Sequence, residues 1–238
     1  MGKDDADASP GVKPWSGGGR EELAAAVRRL ATTVVTAAAP PDVLRNAAEQ
    51  VGRLADQLAR YEPVAGPVPT GRFADAVQSG DASTMAAAMP FDMIVGTCNP
   101  VAPPITIDFA PPKAVGTVTF TPPFEGAPGC VHGAALAGAF DIMLTAANFM
   151  AQAAGPTVEL TIRYRKPTLI SQPAIFEAWV TGREGKRVHS RGQLVQEGVV
   201  TVEAVGEFVD MERSRIALMH RRGRRRTPPS DSGDDATG

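Results

Sequence analysis

Cysteine and histidine are scarce in this chain of 238 residues. Its only cysteines are Cys98 and Cys130, and it has three histidines in all. A zinc site of the Cys/His type would have too few ligands at suitable spacing, so no bound metal is expected. The first twenty residues contain no apolar stretch that would serve as a signal peptide. We therefore expect a cytoplasmic protein in which both cysteines are free thiols.

Long apolar runs and an excess of one charge are also missing. No run approaches the roughly 20 apolar residues that cross a bilayer, because Gly, Pro, Thr or a charge interrupts each one, and membrane insertion is not expected. The formal net charge of −2 gives no general attraction to nucleic acid. The arginine-rich tail lacks the interleaved aromatic residues that stack on bases, so we expect no nucleic-acid partner.

Hydrophobic residues make up 43% of the sequence, a proportion typical of globular proteins. Leucines and valines recur at helical spacing on both sides of Pro40-Pro41, which indicates two amphipathic helices. Spacing and composition together predict a disordered leader over 1–20, a helical hairpin over 21–61, a linker with a short helix over 62–90, a folded domain over 91–212 and a disordered charged tail over 213–238.

Within the folded domain, strand-like segments surround one long helical segment. Alternating residues predict two strands before residue 122 and four after residue 155, and the last three strands follow one another across short turns. Between the two groups, residues 132–153 are apolar nearly all round, which is typical of a helix that a sheet buries. This order predicts an α+β fold in which a curved antiparallel sheet wraps a central helix.

One acidic residue, Asp141, interrupts this apolar helix. A buried carboxylate has to be paired, hydrogen-bonded or functional, although a position facing a polar groove or capping a neighbouring segment is an equally open interpretation. At the helix start, the N–H of Gly133 lies at the positive end of the helix dipole, which suits an oxyanion. The alternative for Gly133 is that it only allows a tight turn into the helix.

The spacing of these two residues has a geometric consequence. Gly133 and Asp141 are eight residues apart, which is about 12 Å along an α-helix. That distance is too long for both to act on the same carbonyl carbon. If the two cooperate, a second copy of the chain has to lay its helix antiparallel to the first, which predicts an isologous dimer with two equivalent sites.

Three segments together carry a family resemblance. The segment Pro128-Gly-Cys-Val-His-Gly-Ala134, with Asp141 nine positions after the histidine, resembles the His-Gly-Gly and Asp signature of hotdog-fold thioesterases of the phenylacetic-acid-degradation type. Residues 157–167 resemble the strand that follows the helix in that family, and Asn99-Pro100 is similar to an Asn-Pro found upstream. The resemblance spans about residues 91–210. It implies a hotdog fold, with the helices before it as an N-terminal extension.

The resemblance also implies an activity, which is hydrolysis of an acyl-CoA thioester at the interface of a homodimer or of a dimer of dimers. Asp141 would act as general base or nucleophile, and the Gly133 amide would hold the oxyanion. His132 would shape the turn, and Thr157 would position the water or the carboxylate. No cofactor is implied, because coenzyme A is part of the substrate.

Further residues are candidates for binding the substrate, and the basic ones among them would contact the phosphates of coenzyme A. These candidates are Asn99, Pro100, Ala134, Arg163, Lys166, Lys186 and Arg187. Two positions depart from the family pattern. Ala134 replaces the usual second glycine, and Gly126 stands where some relatives carry an asparagine, so the length of the acyl chain is left open.

Other interpretations of the sequence remain. Cys130 and His132 as nucleophile and base are a weaker hypothesis, because they are two residues apart and no third orienting group is evident. A hydratase on the same fold would need a differently placed His/Asp or His/Glu set, which we do not find. The main alternative is a non-catalytic hotdog protein that binds acyl-CoA and reports it through the N-terminal helices. Those helices could instead serve only oligomerisation.

Overall fold

The computed structural model describes residues 19–61, 85, 89–103, 105–153 and 155–211. The predicted leader up to residue 18, most of the predicted linker with its short helix, and the predicted charged tail lie outside the described residues.

Two helices precede the sheet, α1 (Gly19–Thr36) and α2 (Pro41–Ala59). Helix α1 is attached to the rest of the chain because Ala24 is buried and the Arg28 guanidinium donates to the carbonyl oxygen of Asn99 at 2.8 Å. Helix α2 buries none of its side chains. Both helices predicted over 21–61 are therefore present.

The six strands of the domain form one antiparallel sheet. They are β1 (Thr106–Ala110), β2 (Lys113–Thr119), β3 (Thr157–Tyr164), β4 (Pro173–Glu184), β5 (Arg187–Gln196) and β6 (Val199–Val209). The order across the sheet is β1-β2-β4-β5-β6-β3. Two strands, a helix and four strands follow one another as predicted, and the predicted meander of the last three strands is confirmed. Strand β3 forms one edge of the sheet and β1 the other.

The sheet packs on one long helix, α3 (Gly133–Met150), which lies between β2 and β3 in the chain. Phe140, Met143 and Leu144 on this helix are completely buried, and the Phe140 ring meets Phe176 of β4 edge-on at 5.0 Å. Among the described helices, α3 is the one that is long and apolar enough to cross a membrane by length and composition. Here it is the core helix of the domain, as its apolar pattern predicts.

The connection from α3 to β3 passes very close to the end of β6. A Cβ atom on Gly155 would lie 1.6 Å from the carbonyl oxygen of Val209, so only glycine fits at this position. The chain then enters β3, where Thr157 pairs with Phe208. This crossing brings Thr157 to the side of α3 that carries Asp141.

Candidate active site

A tight loop leads into α3. The Gly126 N–H donates to the Cys130 carbonyl at 2.9 Å, and the His132 N–H donates to the Phe124 carbonyl at 2.8 Å. A Cβ atom on Gly126 would lie 2.9 Å from the His132 Cα. A larger residue would push His132 out of place, so the loop in this chain requires glycine at position 126.

The first peptide unit of α3 is held from two sides. The Nδ1 atom of His132 accepts a hydrogen bond from the Ala134 N–H at 3.0 Å, so His132 caps the helix with its side chain. The Tyr164 hydroxyl donates to the Gly133 carbonyl at 2.9 Å. The Gly133 N–H, by contrast, has no acceptor among the described residues. A fixed N–H at the positive end of a helix is therefore available to an outside acceptor.

A groove of about 670 Å³ opens beside this N–H. Val131 and Leu136 give it an apolar side, and Arg165 and Lys166 give it a basic side. Arg165 is engaged by Glu203 at 2.7 Å, whereas Lys166 has no carboxylate partner in the described part of the chain. The groove therefore combines a free amide donor, an apolar wall and a free cation, which suits a ligand with an apolar and an anionic part.

Asp141 lies about two helical turns further along α3 and is half-buried. Its Oδ1 atom accepts a hydrogen bond from the Thr157 hydroxyl at 2.6 Å. The structure thus brings together Asp141 and Thr157, two residues that are 16 positions apart in the sequence.

The two parts of the candidate site lie at different positions on one helix. Because α3 is continuous from Gly133 to Met150, the separation of about 12 Å expected between the Gly133 and Asp141 backbones is retained. One chain does not place the free amide and the carboxylate around a single carbonyl group.

The candidate cations differ in where they lie relative to these two positions. Lys166 lines the groove beside Gly133. Thr157, Phe208 and Val188 are aligned across neighbouring strands and share the face of the sheet that meets α3, so the side chain of Arg187, one residue before Val188, points to the opposite face. Lys186 lies in the turn that precedes β5. The Arg187 guanidinium is paired with Glu207. Arg163 lies apart from both, in a separate groove that also contains Trp179 and Arg191.

Asn99 and Pro100 do not line the groove beside Gly133. The Asn99 side chain holds its own loop, because its Oδ1 accepts from the Val101 N–H at 3.0 Å and its Nδ2 donates to the Phe91 carbonyl at 2.9 Å. Pro100 lines a smaller groove against α1. Their placement in a single chain gives the predicted substrate contacts no support. Ala134, the remaining candidate, is exposed in the first turn of α3.

The sequence did not single out Tyr164 as a site residue. It alternates with Leu160 and Ile162 and so has the pattern of a core residue, yet 55% of its surface is exposed.

The weaker hypothesis of a Cys130–His132 pair gains no support, since no hydrogen bond joins the two side chains in the described chain and the His132 Nδ1 is already engaged. Nor does any group of three or more potential metal ligands occur among the described residues.

One protein family and several solved structures are similar to this chain. The family model described as the thioesterase superfamily matches residues 128–203, which include the loop, α3 and most of the sheet. A crystal structure of a thioesterase superfamily protein is similar over 81% of this chain and 96% of its own, with 27% identity and a TM-score of 0.69. The PaaI protein of the E. coli phenylacetic acid degradation operon is similar over 44% of this chain and 82% of its own, with 19% identity and a TM-score of 0.42. No curated protein sequence matches the chain.

The fold and the matches define the class of the domain. It has the hotdog fold with an N-terminal helical extension, and its residues 128–203 match the thioesterase superfamily. The predicted resemblance to hotdog-fold thioesterases is therefore confirmed at the level of the fold and the superfamily.

Proposed function

We propose that this protein hydrolyses acyl-CoA thioesters to the free acid and coenzyme A. The observation that carries the proposal is the pairing of Asp141 with Thr157 at 2.6 Å on the same helix that begins with the unpartnered Gly133 N–H. A carboxylate held by a hydroxyl group supplies a base or a nucleophile, and a fixed amide supplies an oxyanion donor.

A second copy of the chain completes each site in this proposal. Strand β3 is an edge strand, and its residues Val158 and Tyr164 are 52% and 55% exposed. An exposed edge of this kind can pair with the same edge of another chain. Two-fold symmetry then lays the two α3 helices antiparallel and brings Gly133 of one chain to Asp141 of the other.

The proposed reaction needs no metal ion. The Gly133 N–H donates to the thioester oxygen while Asp141 of the second chain removes a proton from a water molecule, which attacks the carbonyl carbon. The oxyanion that forms is held by the same N–H. The carbon–sulfur bond then breaks, and the proton on Asp141 passes to the departing thiolate. In the nucleophilic alternative, Asp141 attacks the carbonyl carbon directly, and the carbon–sulfur bond breaks to release the thiolate of coenzyme A. Water then hydrolyses the resulting anhydride, which regenerates the Asp141 carboxylate, and the proton that this releases passes to the thiolate.

The groove supports the choice of substrate class. Val131 and Leu136 provide an apolar surface next to the amide donor, which suits an acyl group. Arg165 and Lys166 lie in the same groove, so that basic side chains border the site. Phosphate groups of coenzyme A are ligands for such cations.

The substitution Asp141→Asn tests the proposal. It removes the base and the nucleophile but keeps the shape of the side chain and an oxygen that can accept from Thr157. We expect hydrolysis of acyl-CoA substrates of several chain lengths to be abolished while the variant remains folded and binds the substrate. Wild-type protein that binds acyl-CoA without turnover would instead identify a non-catalytic acyl-CoA-binding protein.

A further inference from the structure

The two N-terminal helices expose an unusual share of the large apolar side chains. In the described residues, eleven of these side chains on or next to the helices are 37–77% exposed. They are Leu23, Val27, Leu30, Val34 and Val35 on α1, and Val43, Leu44, Val51, Leu54, Leu58 and Tyr61 on or after α2. Single exposed apolar residues are ordinary, whereas a continuous set marks a contact surface.

The apolar residues of α2 lie along one side of the helix. Leu44, Val51, Leu54 and Leu58 are separated by seven, three and four residues, the spacing of the contact positions in a coiled coil. The positions that flank this stripe are uncharged, namely Val43, Ala48, Gln50, Ala55 and Gln57. The charged residues Arg45, Glu49, Arg53 and Asp56 lie on the remaining surface.

Helix α2 has little to stabilise it on its own. It is 19 residues long, none of its side chains is buried, and Gly52 lies in its middle. Isolated helices of about this length are marginal in water, and glycine lowers their stability further. The Glu49–Arg53 ion pair is mostly exposed and adds only a few tenths of a kcal/mol at most. The helix therefore depends on a partner surface.

We infer that the apolar faces of α1 and α2 pack against the same helices of a second copy of this chain. The uncharged flanks support this choice of partner, because two identical helices can meet along them without repulsion between like charges. The half-exposed apolar side chains of the two helices present on the order of 500 Å² of apolar surface per chain that association would bury. With a polar rim, that area approaches the roughly 800 Å² per partner of a stable interface.

The exposed apolar residues of α1 have a spacing similar to those of α2. On α1, Leu23, Val27, Leu30 and Val34 are separated by four, three and four residues. Two chains would contribute four helices with such faces, which is the composition of a small helical bundle. This inference concerns only the N-terminal helices and does not depend on the proposed hydrolysis of acyl-CoA.

Sedimentation of the full-length protein over a range of concentrations tests the inference. The double substitution Val51→Glu and Leu54→Glu puts charges into the stripe but retains good helix formers. The quantity measured is the dissociation constant of the largest assembly that the wild-type chain forms. We expect this constant to be at least about a hundredfold higher in the variant. Hydrogen exchange of the α2 amides should be slow in the wild-type protein and fast in the variant.

A matched control places the same two charges on the opposite surface of α2. The double substitution Asn46→Glu and Ala59→Glu changes exposed positions outside the stripe, and its association should stay within about threefold of the wild type. If the stripe variant associates as strongly as the wild-type protein, no second copy covers this face and the inference is refuted. The Asp141→Asn variant should associate normally, so that a failure of the proposed reaction leaves this result unchanged.

Discussion

The hydrogen bond from Thr157 to Asp141 makes Thr157→Val a sharp test of the site. Valine keeps the shape and the β-branching of threonine, so β3 should form normally and only the hydroxyl group is lost. The carboxylate then lacks a donor at 2.6 Å. We expect turnover to fall while the affinity for substrate changes little, because in the proposed reaction the hydroxyl orients the carboxylate that reacts, and Thr157 does not line the groove beside Gly133.

The size of the effect follows from the exposure of the pair. A hydrogen bond to a charged group contributes about 1.5–3 kcal/mol when it is buried. Thr157 is exposed and Asp141 is half-buried, so a value near or below the lower end of this range applies. A loss of about 1–2 kcal/mol of transition-state stabilisation corresponds to a decrease in kcat of roughly 5- to 30-fold.

The assay is the release of free thiol from acyl-CoA at saturating substrate, followed with a thiol-reactive dye. Thr157→Ser, which keeps a hydroxyl group at the same position, is the matched control and should stay within about threefold of the wild-type kcat. A Thr157→Val variant with wild-type kcat would show that Asp141 needs no partner on β3, and the assigned role of Thr157 would be wrong.

Two further substitutions test contacts around the site and on the sheet. Tyr164→Phe removes the donor to the Gly133 carbonyl at 2.9 Å and should lower kcat about fivefold, measured in the same thiol-release assay, without changing the free energy of unfolding. Glu177→Gln tests an ion pair, because hydrogen bonds from Lys113 and Gln193 lower the pKa of the Glu177 carboxyl below its usual value. A lowered pKa stabilises the fold above the pKa of the unfolded chain, and this stabilisation is lost as the pH falls through the folded value. Urea unfolding should therefore show a loss of about 1 kcal/mol for Glu177→Gln at pH 7, a difference that disappears in acid; a constant difference at all pH values would contradict this assignment.

The sequence was sufficient to predict the order of the elements and the position of the acid. The alternation of apolar residues in β1 and β3 and the almost entirely apolar segment of α3 are local patterns, and such patterns predict secondary structure without knowledge of long-range contacts. Asp141 stood out because a lone charge in an apolar helix needs an explanation that its neighbours in the sequence do not supply.

Features that depend on long-range pairing were not predictable in this way. The exposure of Tyr164 follows from the position of β3 at the edge of the sheet, which its own alternation does not reveal. The ion pairs of Arg165 with Glu203 and of Arg187 with Glu207 depend on the register of strands that are distant in the sequence. In the same way, the helical periodicity of α2 predicts a helix but does not say which surface covers it.

The central claim is that each active site takes its acid and its amide from different chains, and mixed dimers test it directly. Asp141→Asn removes the acid, and Gly133→Val disturbs the amide, because a Cβ atom there would lie 3.0 Å from the Tyr164 hydroxyl oxygen. Each variant alone should be inactive. If the claim is right, a mixed dimer regains one intact site of its two, and an equal mixture after subunit exchange should reach about a quarter of the wild-type turnover. If both groups act within one chain, the mixture would stay as inactive as the separate variants, and the account would be contradicted.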